Sequence, residues 1–225
     1  MKIEEITKLF NLGRKIEDTN NNPYLYFAKK HDLNHYRLIS SGELLVRGKD
    51  LNIPEYIKQY IKFHKNALMI ANFMGNKVIS IVFRNLTGEK EFMKLGITKS
   101  TFYGLGQLSP DFKYGQPILL VEGHLDRDKM ATMFHNTLGI MTSSLSESQI
   151  NILRGLTNKI YLMLDNDDAG RIGTKKALRQ LKNDFRVKVI EHDSRLKDAG
   201  ELVKLEMQKY YDLNYIENFY RAQLN

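Results

Sequence analysis

Four short apolar runs alternate with helix-length segments in the second half of this sequence. Strands are expected at 118–122, 139–142, 160–164 and 187–191, and helices at about 125–135, 146–154 and 168–183. Strands that are apolar throughout and are separated by helices are typical of a parallel sheet covered on both faces. This half of the chain is therefore predicted to be an α/β domain.

The first half has a mixed pattern of helices and strands. Helices are expected over 2–17, from Pro23 to about Lys30 and from about 55, and strands over 43–47, 67–73, 78–83 and 91–95. Gly75-Asn76 separates two apolar runs and predicts a hairpin, and a second turn is expected at 87–89. We therefore expect a small α+β subdomain over 1–112, the α/β domain over 116–203, and a C-terminal helix over 204–225 that continues an amphipathic pattern beginning at 201.

The positive charge is concentrated in the first half. Residues 1–116 hold 18 of the 34 Lys and Arg residues but 11 of the 26 Asp and Glu residues, so this half carries nearly all of the formal net charge of +8. Phosphates attract such a surface, so the charge favours a nucleic-acid partner, although many proteins are basic without one. The composition is that of a folded protein, with 42% hydrophobic residues.

Two absences narrow the possible functions. There is no cysteine, which excludes disulfides, cysteine nucleophiles and thiolate zinc sites. No apolar run approaches the roughly 20 residues that a membrane-spanning helix needs, and the first ten residues lack the apolar core of a secretory signal. We therefore expect no membrane partner, no zinc, and a cytoplasmic protein.

Acidic residues follow two of the predicted strands. Glu122 ends the first strand, with Asp126 four residues later, and Asp165 and Asp167 follow the third strand. The carboxyl ends of parallel strands meet at one edge of a sheet, and residues two apart in extended chain point the same way. Close carboxylates repel one another, and Mg²⁺ prefers such oxygen ligands, so a metal site is predicted. The alternative is that 165–168 is only the N-cap of the next helix.

Several motifs, taken in order, resemble the Toprim domain of bacterial-type and phage primases. VEGHLD at 121–126 is similar to the primase pattern V-E-G-[YH]-x-D, and LDNDDAGR at 164–171 resembles D-x-D-x-A-G-R. KDAGEL at 197–202 resembles the later K-D-P-D-x-L stretch, except that Gly200 stands where the family usually has an acid. FRNLTG at 83–88 and YGL at 103–105 are similar to elements of the primase N-terminal subdomain. The resemblance implies a Toprim-type sheet preceded by the basic subdomain.

The resemblance also implies an activity. It is that of a DNA primase, a DNA-directed RNA polymerase that makes short RNA primers on single-stranded DNA by metal-dependent nucleotidyl transfer from NTPs. The implied metal ligands, for Mg²⁺ or Mn²⁺, are Glu122, Asp126, Asp165, Asp167 and Asp198. Of these, Glu122, Asp165 and Asp167 would be catalytic, with Glu122 either a metal ligand or a general base.

Basic residues near these motifs are candidates for contacts with nucleotide or template phosphates. They are Arg84, Lys94, Lys99 and Arg171, of which Arg171 is also expected to pair with Asp167. The alternative for the lysines is that they are simply solvated. The implied setting is the cytoplasm of a bacterium or of a phage-infected host, with a bacteriophage or mobile element as the source. A replicative helicase or a separate zinc-ribbon protein would be a further partner.

Two other functions stay open at this point. A Toprim nuclease would share the metal carboxylates but would break phosphodiester bonds. A non-catalytic, primase-like protein that binds nucleic acid or regulates replication would need neither a complete metal site nor NTPs. Gly200 and the missing zinc ribbon weakly favour the second of these alternatives.

Overall fold

A computed structural model describes residues 1–19, 21–86, 92–193, 195–205 and 213–224. It divides the chain into one unit over Met1–Thr98 and another over Lys99–Asn225. The first unit contains helices α1 (Ile3–Leu12), α2 (Pro23–Lys30), α3 (Ser41–Arg47) and α4 (Glu55–His64), and strands β1 (Tyr36–Ser40), β2 (Asn66–Met74), β3 (Lys77–Arg84) and β4 (Phe92–Gly96).

The first unit is an antiparallel sheet with helices packed on it. Its strands lie in the order β1-β2-β3-β4, and β2 and β3 form the predicted hairpin. Phe10 of α1 and Ile61 of α4 are buried in one cluster with Met69 and Phe83, because alternate residues of a strand face the same side of the sheet. This confirms the expected α+β subdomain, while the turn predicted at 87–89 lies outside the described residues.

One predicted strand of the first unit is wrong. Residues 43–47 belong to the helix α3, and the strand β1 ends just before it. The cause is a capping box: the Ser40 hydroxyl accepts a hydrogen bond from the Glu43 backbone N–H at 3.1 Å, and the Glu43 carboxylate accepts one from the Ser40 N–H at 2.7 Å. These two bonds satisfy backbone donors at the helix start, which outweighs the strand preference of Val46.

The second unit is the predicted α/β domain. It contains strands β5 (Ile118–Val121), β6 (Thr137–Gly139), β7 (Lys159–Met163) and β8 (Arg186–Val189), and helices α5 (His124–Ala131), α6 (Glu147–Leu156), α7 (Asp168–Leu181), α8 (Glu201–Leu205) and α9 (Leu213–Leu224). The four strands are parallel and lie in the order β6-β5-β7-β8. The strand predicted at 139–142 ends earlier than expected, at Gly139.

Helices cover both faces of the parallel sheet. Ile118 and Leu120 of β5 belong to a core shared with α6 and α7, while Leu119 and Val121 belong to a second core shared with α5, α8 and α9. All four side chains are fully buried. A strand buried on both sides explains the unbroken apolar run from which the parallel sheet was predicted.

The boundaries of the second unit differ from the predicted ones. The unit begins at Lys99 rather than near 112, because the backbone of Tyr103 pairs with Gly139 of β6 and Gln149 of α6 bonds the Thr101 carbonyl. The predicted C-terminal helix is described as two helices, α8 and α9, with residues 206–212 between them outside the described part. Both pack on the parallel sheet.

No helix in the described ranges is long and apolar enough to cross a membrane.

Candidate functional site

Two neighbouring strand ends position the acidic residues. β5 and β7 are adjacent, and Val121 pairs with Met163 in the last register position of both strands. The chain leaves β5 toward β6 on one side, while β7 lies on the other, so the strand order reverses here. Crevices at such a reversal are where open α/β sheets bind ligands. Glu122 follows β5 directly, and Asp165 lies two residues beyond β7.

The structure brings the five predicted carboxylates into one neighbourhood, which we call the carboxylate cluster. Its members are Glu122, Asp126, Asp165, Asp167 and Asp198. Each is partly buried, and each lies close enough to others in the set to affect their ionisation. The cluster therefore concentrates negative charge at the edge of the sheet where the sequence predicted it.

Asp126 is held by the backbone of two separate segments. Its carboxylate accepts hydrogen bonds from the N–H of Gly123 at 2.9 Å and from the N–H of Gly200 at 2.6 Å. Burial, together with the nearby charge of Asp198, nevertheless raises the pKa of Asp126 to about 6. Asp126 thus ties the start of α5 to the 197–200 segment, and its pKa lies only slightly below neutral pH.

Glu122 and Asp165 have raised pKa values for the same reasons. Burial raises the pKa of Glu122, and the charges of Asp167 and Asp198 add to that effect. Burial raises the pKa of Asp165 to about 8, with further contributions from Asp126, Glu122, Asp198 and Asp167. A nearby cation would lower these pKa values, because it stabilises the ionised form of each carboxylate.

Asp167 differs from the other members because it is already compensated. It caps α7, where its side chain accepts a hydrogen bond from the Gly170 N–H at 2.9 Å. Its other oxygen lies 3.0 Å from the Lys197 ammonium. The Gly170 hydrogen bond and Lys197 lower the pKa of Asp167 below its ordinary value. The N-cap interpretation therefore holds for Asp167 itself, alongside its place in the cluster.

Lys197 lies beside the carboxylate cluster, a position that the 197–202 motif alone does not indicate. Its pKa is raised, chiefly by the bond to Asp167, and the charges of Asp165 and Asp198 also favour its ammonium form. Lys197 is far from Asp167 in sequence but close in space because Asn166 and Lys197 are joined by a backbone hydrogen bond of 2.7 Å. The spacing of these residues in the sequence does not place the Lys197 ammonium beside Asp167, whereas the folded structure does.

Gly200 explains the departure from the family pattern. A Cβ built on Gly200 would lie 2.9 Å from a carboxylate oxygen of Asp126 and 3.2 Å from one of Asp198. Asp198 is itself fixed by a hydrogen bond of 2.9 Å from the Glu201 N–H. A side chain at position 200 would require both neighbours to move, so Gly200 allows its backbone to pack closely against Asp126 and Asp198.

The cluster suits a divalent cation in its donor chemistry but does not form a complete cage. Hard carboxylate oxygens and raised pKa values are what such an ion would compensate. Among the residues that the structure describes, however, no three acidic or histidine side chains are arranged so that they could hold one ion together. Three of the five carboxylates, Asp126, Asp167 and Asp198, are engaged by backbone N–H groups instead.

Arg171 does not form the predicted pair with Asp167. Its guanidinium bonds Asp168 at 2.6 Å and the Asn166 carbonyl at 3.1 Å. Residues three apart on a helix are neighbours on its surface, whereas Asp167 lies before the first turn of α7 and turns toward Lys197. The pair of Arg171 with Asp168 is exposed, so its role in the structure is that of a local surface ion pair.

Arg84 and Lys94 belong to the first unit and lie on the same face of its sheet. Arg84 pairs with Phe92 and Lys94 with Val82 in the β3–β4 register, which makes the two basic residues diagonal neighbours. Arg84 is only 7% exposed, donates to the Tyr24 hydroxyl at 2.7 Å and stacks on the Tyr24 ring at 4.1 Å. Within the described residues no carboxylate pairs with this buried guanidinium.

Lys99 lies at the start of the second unit and is exposed. It lines a hollow of about 340 Å³ with the hydroxyl-rich residues 142–146, which lead into α6. Ser146 caps that helix by accepting a hydrogen bond from the Gln149 N–H at 3.2 Å.

Sequence reasoning missed a buried polar network behind the cluster. Arg127 bonds Asp128 at 3.0 Å, and Asp128 accepts a hydrogen bond from the Tyr103 hydroxyl at 2.9 Å. Gly104, with φ of +86°, lets the backbone lie against Arg127, since a Cβ there would approach its Nε to 2.3 Å. The sequence feature that could have indicated this network is the run of four charged residues at 126–129, near the start of the short helix α5. The network fixes the YGL segment to α5.

Comparison with known proteins agrees with this architecture. The family model described as Toprim-like matches residues 119–203. A Mycoplasma pneumoniae protein described as an uncharacterised MG010 homolog is 33% identical over 148 residues, covering 61% of this chain and 67% of that protein. A DNA primase of Aquifex aeolicus is 31% identical over 77 residues, covering 34% of this chain and 16% of the primase.

The solved structure of a DnaG primase catalytic domain bound to single-stranded DNA has the same fold. It superposes with a TM-score of 0.65 over 96% of this chain and 77% of that one, at 17% sequence identity. The Toprim-like match covers the strands, helices and strand-end carboxylates of the second unit. This chain belongs to the same family as the Mycoplasma pneumoniae protein, and it contains a Toprim-like domain.

Proposed function

We propose that this chain synthesises short RNA primers on a single-stranded DNA template. The observation that carries the proposal is the carboxylate cluster at the β5–β7 edge, in which Glu122, Asp126 and Asp165 have raised pKa values. Raised pKa values in a group of acids at a crevice are typical of functional sites. The fold also supports this proposal, since a solved DnaG primase catalytic domain with the same fold is bound to single-stranded DNA.

The proposed reaction is nucleotidyl transfer. The 3′-hydroxyl of a growing primer attacks the α-phosphorus of an NTP, the new P–O bond forms, and pyrophosphate leaves. Mg²⁺ or Mn²⁺, when bound, would neutralise charge on the phosphates and orient the reacting oxygens. Asp165 is the residue of this chain that would hold it first, with Glu122 beside it, because Asp126, Asp167 and Asp198 already accept hydrogen bonds from backbone N–H groups at turns and helix starts.

The basic residues would bind phosphates. Lys99 is exposed beside a hollow lined with hydroxyl groups, which suits a phosphate oxygen acceptor. Arg84 is a nearly buried guanidinium for which no carboxylate partner exists in the described ranges, and a bound phosphate would compensate its charge. Lys94, diagonal to Arg84 on the same sheet face, would extend this phosphate contact.

A second candidate is a nucleic-acid-binding regulator without polymerase activity. Two observations favour it: Lys197 already supplies a cation to the cluster, and Gly200 replaces an acid of the family pattern. Such a protein would keep the fold and the phosphate contacts but would not need divalent ions. The two candidates differ in whether the cluster binds metal.

The test uses the full chain with single-stranded DNA, labelled NTPs and either Mg²⁺ or Mn²⁺. Asp165→Asn and Glu122→Gln keep side-chain size while removing charge. Asp168→Asn is the matched control, since Asp168 lies three residues from Asp165 but is 94% exposed and outside the cluster. We expect RNA products from the unaltered protein and from the control, and a loss of at least about 100-fold in the two cluster variants.

Other outcomes would reject the proposal. Labelled DNA that becomes shorter, with no RNA made, would identify a nuclease. DNA binding without either reaction, and without Mn²⁺ binding measured by electron paramagnetic resonance, would support the non-catalytic regulator. Equal activity in Asp165→Asn and Asp168→Asn would show that the cluster is not the reaction site.

A further inference from the structure

A groove between α3 and α4 lies on the first unit, away in sequence from every residue of the proposed active site. Its volume is about 510 Å³. One wall comes from Ser41, Leu44, Leu45 and Gly48, which recur at intervals of three and four residues and so share one side of α3 and its C-cap. Leu44 is buried at the floor, whereas Leu45 is 77% exposed. This wall is therefore apolar and open.

The opposite wall is polar and mainly basic. Glu55, Lys58, Gln59 and Lys62 recur at the same intervals along α4. Gln59 donates a hydrogen bond to Glu55 at 3.5 Å, and Glu55 is the one acidic residue that lines this wall among the described residues, against two lysines. Lys58 and Lys62 have no carboxylate within 4 Å in the part of the chain that the structure describes. Two lysines without a carboxylate partner among the described residues thus line the groove opposite an exposed leucine.

We propose that this α3–α4 groove binds an acidic amphipathic helix of a partner protein. Apolar side chains of that helix would cover Leu45 and reach Leu44 and Ile53, while its carboxylates would pair with Lys58 and Lys62. Burial of the leucine supplies affinity, and the lysines supply orientation, because reversing the helix faces would place carboxylates against the apolar wall.

The shape of the groove favours a helix as the occupant. Both walls present residues at the spacing of helix ridges, and such ridges pack into the grooves of a further helix. The ten residues of α4 extend about 15 Å, which matches about three turns of a guest helix. Single-stranded nucleic acid fits less well, because the apolar wall offers an aliphatic side chain rather than aromatic rings for base stacking.

The test uses the full chain and two synthetic peptides of about three helical turns. Both carry leucine at every third and fourth position, with glutamate at the other positions in one peptide and lysine in the second. Fluorescence anisotropy measures binding of each labelled peptide at low and at high salt. We expect the acidic peptide to bind at least about tenfold more tightly than the basic one, with affinity that falls as salt increases.

Matched variants locate the binding. Leu45→Asp should weaken acidic-peptide binding by about tenfold or more, whereas Val46→Asp, on the same helix and 72% exposed but outside the groove, should change it little. Lys62→Glu should weaken binding by about threefold to tenfold, and Lys8→Glu, an equal charge change on an exposed residue of α1, should not. RNA synthesis should persist in all four variants, which separates this proposal from the proposed function.

Three results would overturn the proposal. Equal binding of the acidic and basic peptides would show only non-specific apolar contact. Self-association of the unaltered protein that Leu45→Asp abolishes would make a second copy of this chain the occupant. Competition by single-stranded DNA that is lost in Lys62→Glu, with no effect of Leu45→Asp, would make the α4 wall a nucleic-acid surface.

Discussion

Replacing Asp165 with Asn should stabilise the metal-free protein at alkaline pH. The pKa of the Asp165 carboxyl is raised from 3.8 to about 8 by burial and by neighbouring negative charges. The folded protein therefore keeps this proton until about pH 8, whereas the unfolded chain releases it near pH 4. Because the folded state binds the extra proton, the free energy of unfolding must fall as pH rises through that window. Asn carries no charge, so the variant lacks this loss.

The size of the effect follows from the shift. Between about pH 5 and pH 8, linkage at about 1.4 kcal/mol per pH unit gives an upper value of roughly 4 kcal/mol. Asp165 is partly exposed and shares its repulsion with Asp126 and Glu122, so we expect about half of this, roughly 2 kcal/mol. The unfolding free energies of the unaltered protein and Asp165→Asn should diverge by that amount over this range.

Urea denaturation at a series of pH values, with a chelator present, measures this divergence. Asp168→Asn serves as the control, because its carboxylate is 94% exposed and pairs with Arg171 at the surface. Adding Mg²⁺ at about pH 8 should restore stability to the unaltered protein and to the control but not to Asp165→Asn. Parallel pH profiles for all three proteins, or a less stable Asp165→Asn at alkaline pH, would refute the reasoning.

Three further substitutions test the surroundings of the cluster. Gly170→Ala should lower the unfolding free energy in urea by about 2–3 kcal/mol, because the new Cβ would lie 1.9 Å from the Asp165 carbonyl oxygen; unchanged stability would contradict this contact. Asp128→Asn should cost about 3 kcal/mol in thermal unfolding by leaving the buried Arg127 guanidinium without its carboxylate partner, although its bond to the Thr137 carbonyl remains, and a neutral effect would argue against the network. Lys197→Met should tighten Mg²⁺ binding by about threefold to tenfold in calorimetry, since an ammonium no longer competes within the cluster; weaker binding would show that Lys197 assists the metal.

The parallel sheet and its acidic edge could be predicted from the sequence because each depends on a local pattern. Runs such as 118–121 are apolar at every position, which only a strand buried on both faces explains, and Glu122 follows such a run directly. Once the strands are parallel, their carboxyl ends must share an edge, so Asp165 was placed near Glu122 without coordinates. The structure confirms both inferences.

Other features depend on contacts that sequence spacing does not determine. The helix α3 was misread as a strand because a capping box between Ser40 and Glu43 outweighs the residue preferences that follow it. Lys197 was not recognised as a cluster residue because its partner, Asp167, lies thirty positions earlier in the chain. Arg171 was assigned the wrong acid, since a choice between Asp167 and Asp168 is decided by where the first turn of the helix begins.

Buried charge was the hardest feature to predict. Arg127, Asp128 and Lys129 follow one another in α5, and all three are buried, with Lys129 fully covered and bonded to Glu217 of α9 at 2.9 Å. A run of charges ordinarily indicates a solvated helix face. Here each charge has a specific partner contributed by another segment of the second unit, and such partners become visible only when the segments are brought together.

The five carboxylates, which the motifs group together as metal ligands, differ in the structure in their hydrogen bonds and in the charges around them. Asp126, Asp167 and Asp198 each accept a backbone hydrogen bond that fixes the position of a turn or helix start. Asp165 has no such bond from any described residue, and the negative charges of Asp126, Glu122, Asp198 and Asp167 raise its pKa despite the nearby Lys197 ammonium. A partly exposed carboxyl that has no backbone hydrogen bond and lies among several like charges is the one whose free energy improves most when a cation arrives. Replacing Asp165 with Asn should therefore have opposite effects on stability and activity. Loss of the charge should stabilise the metal-free protein, and the same loss should abolish metal-dependent synthesis.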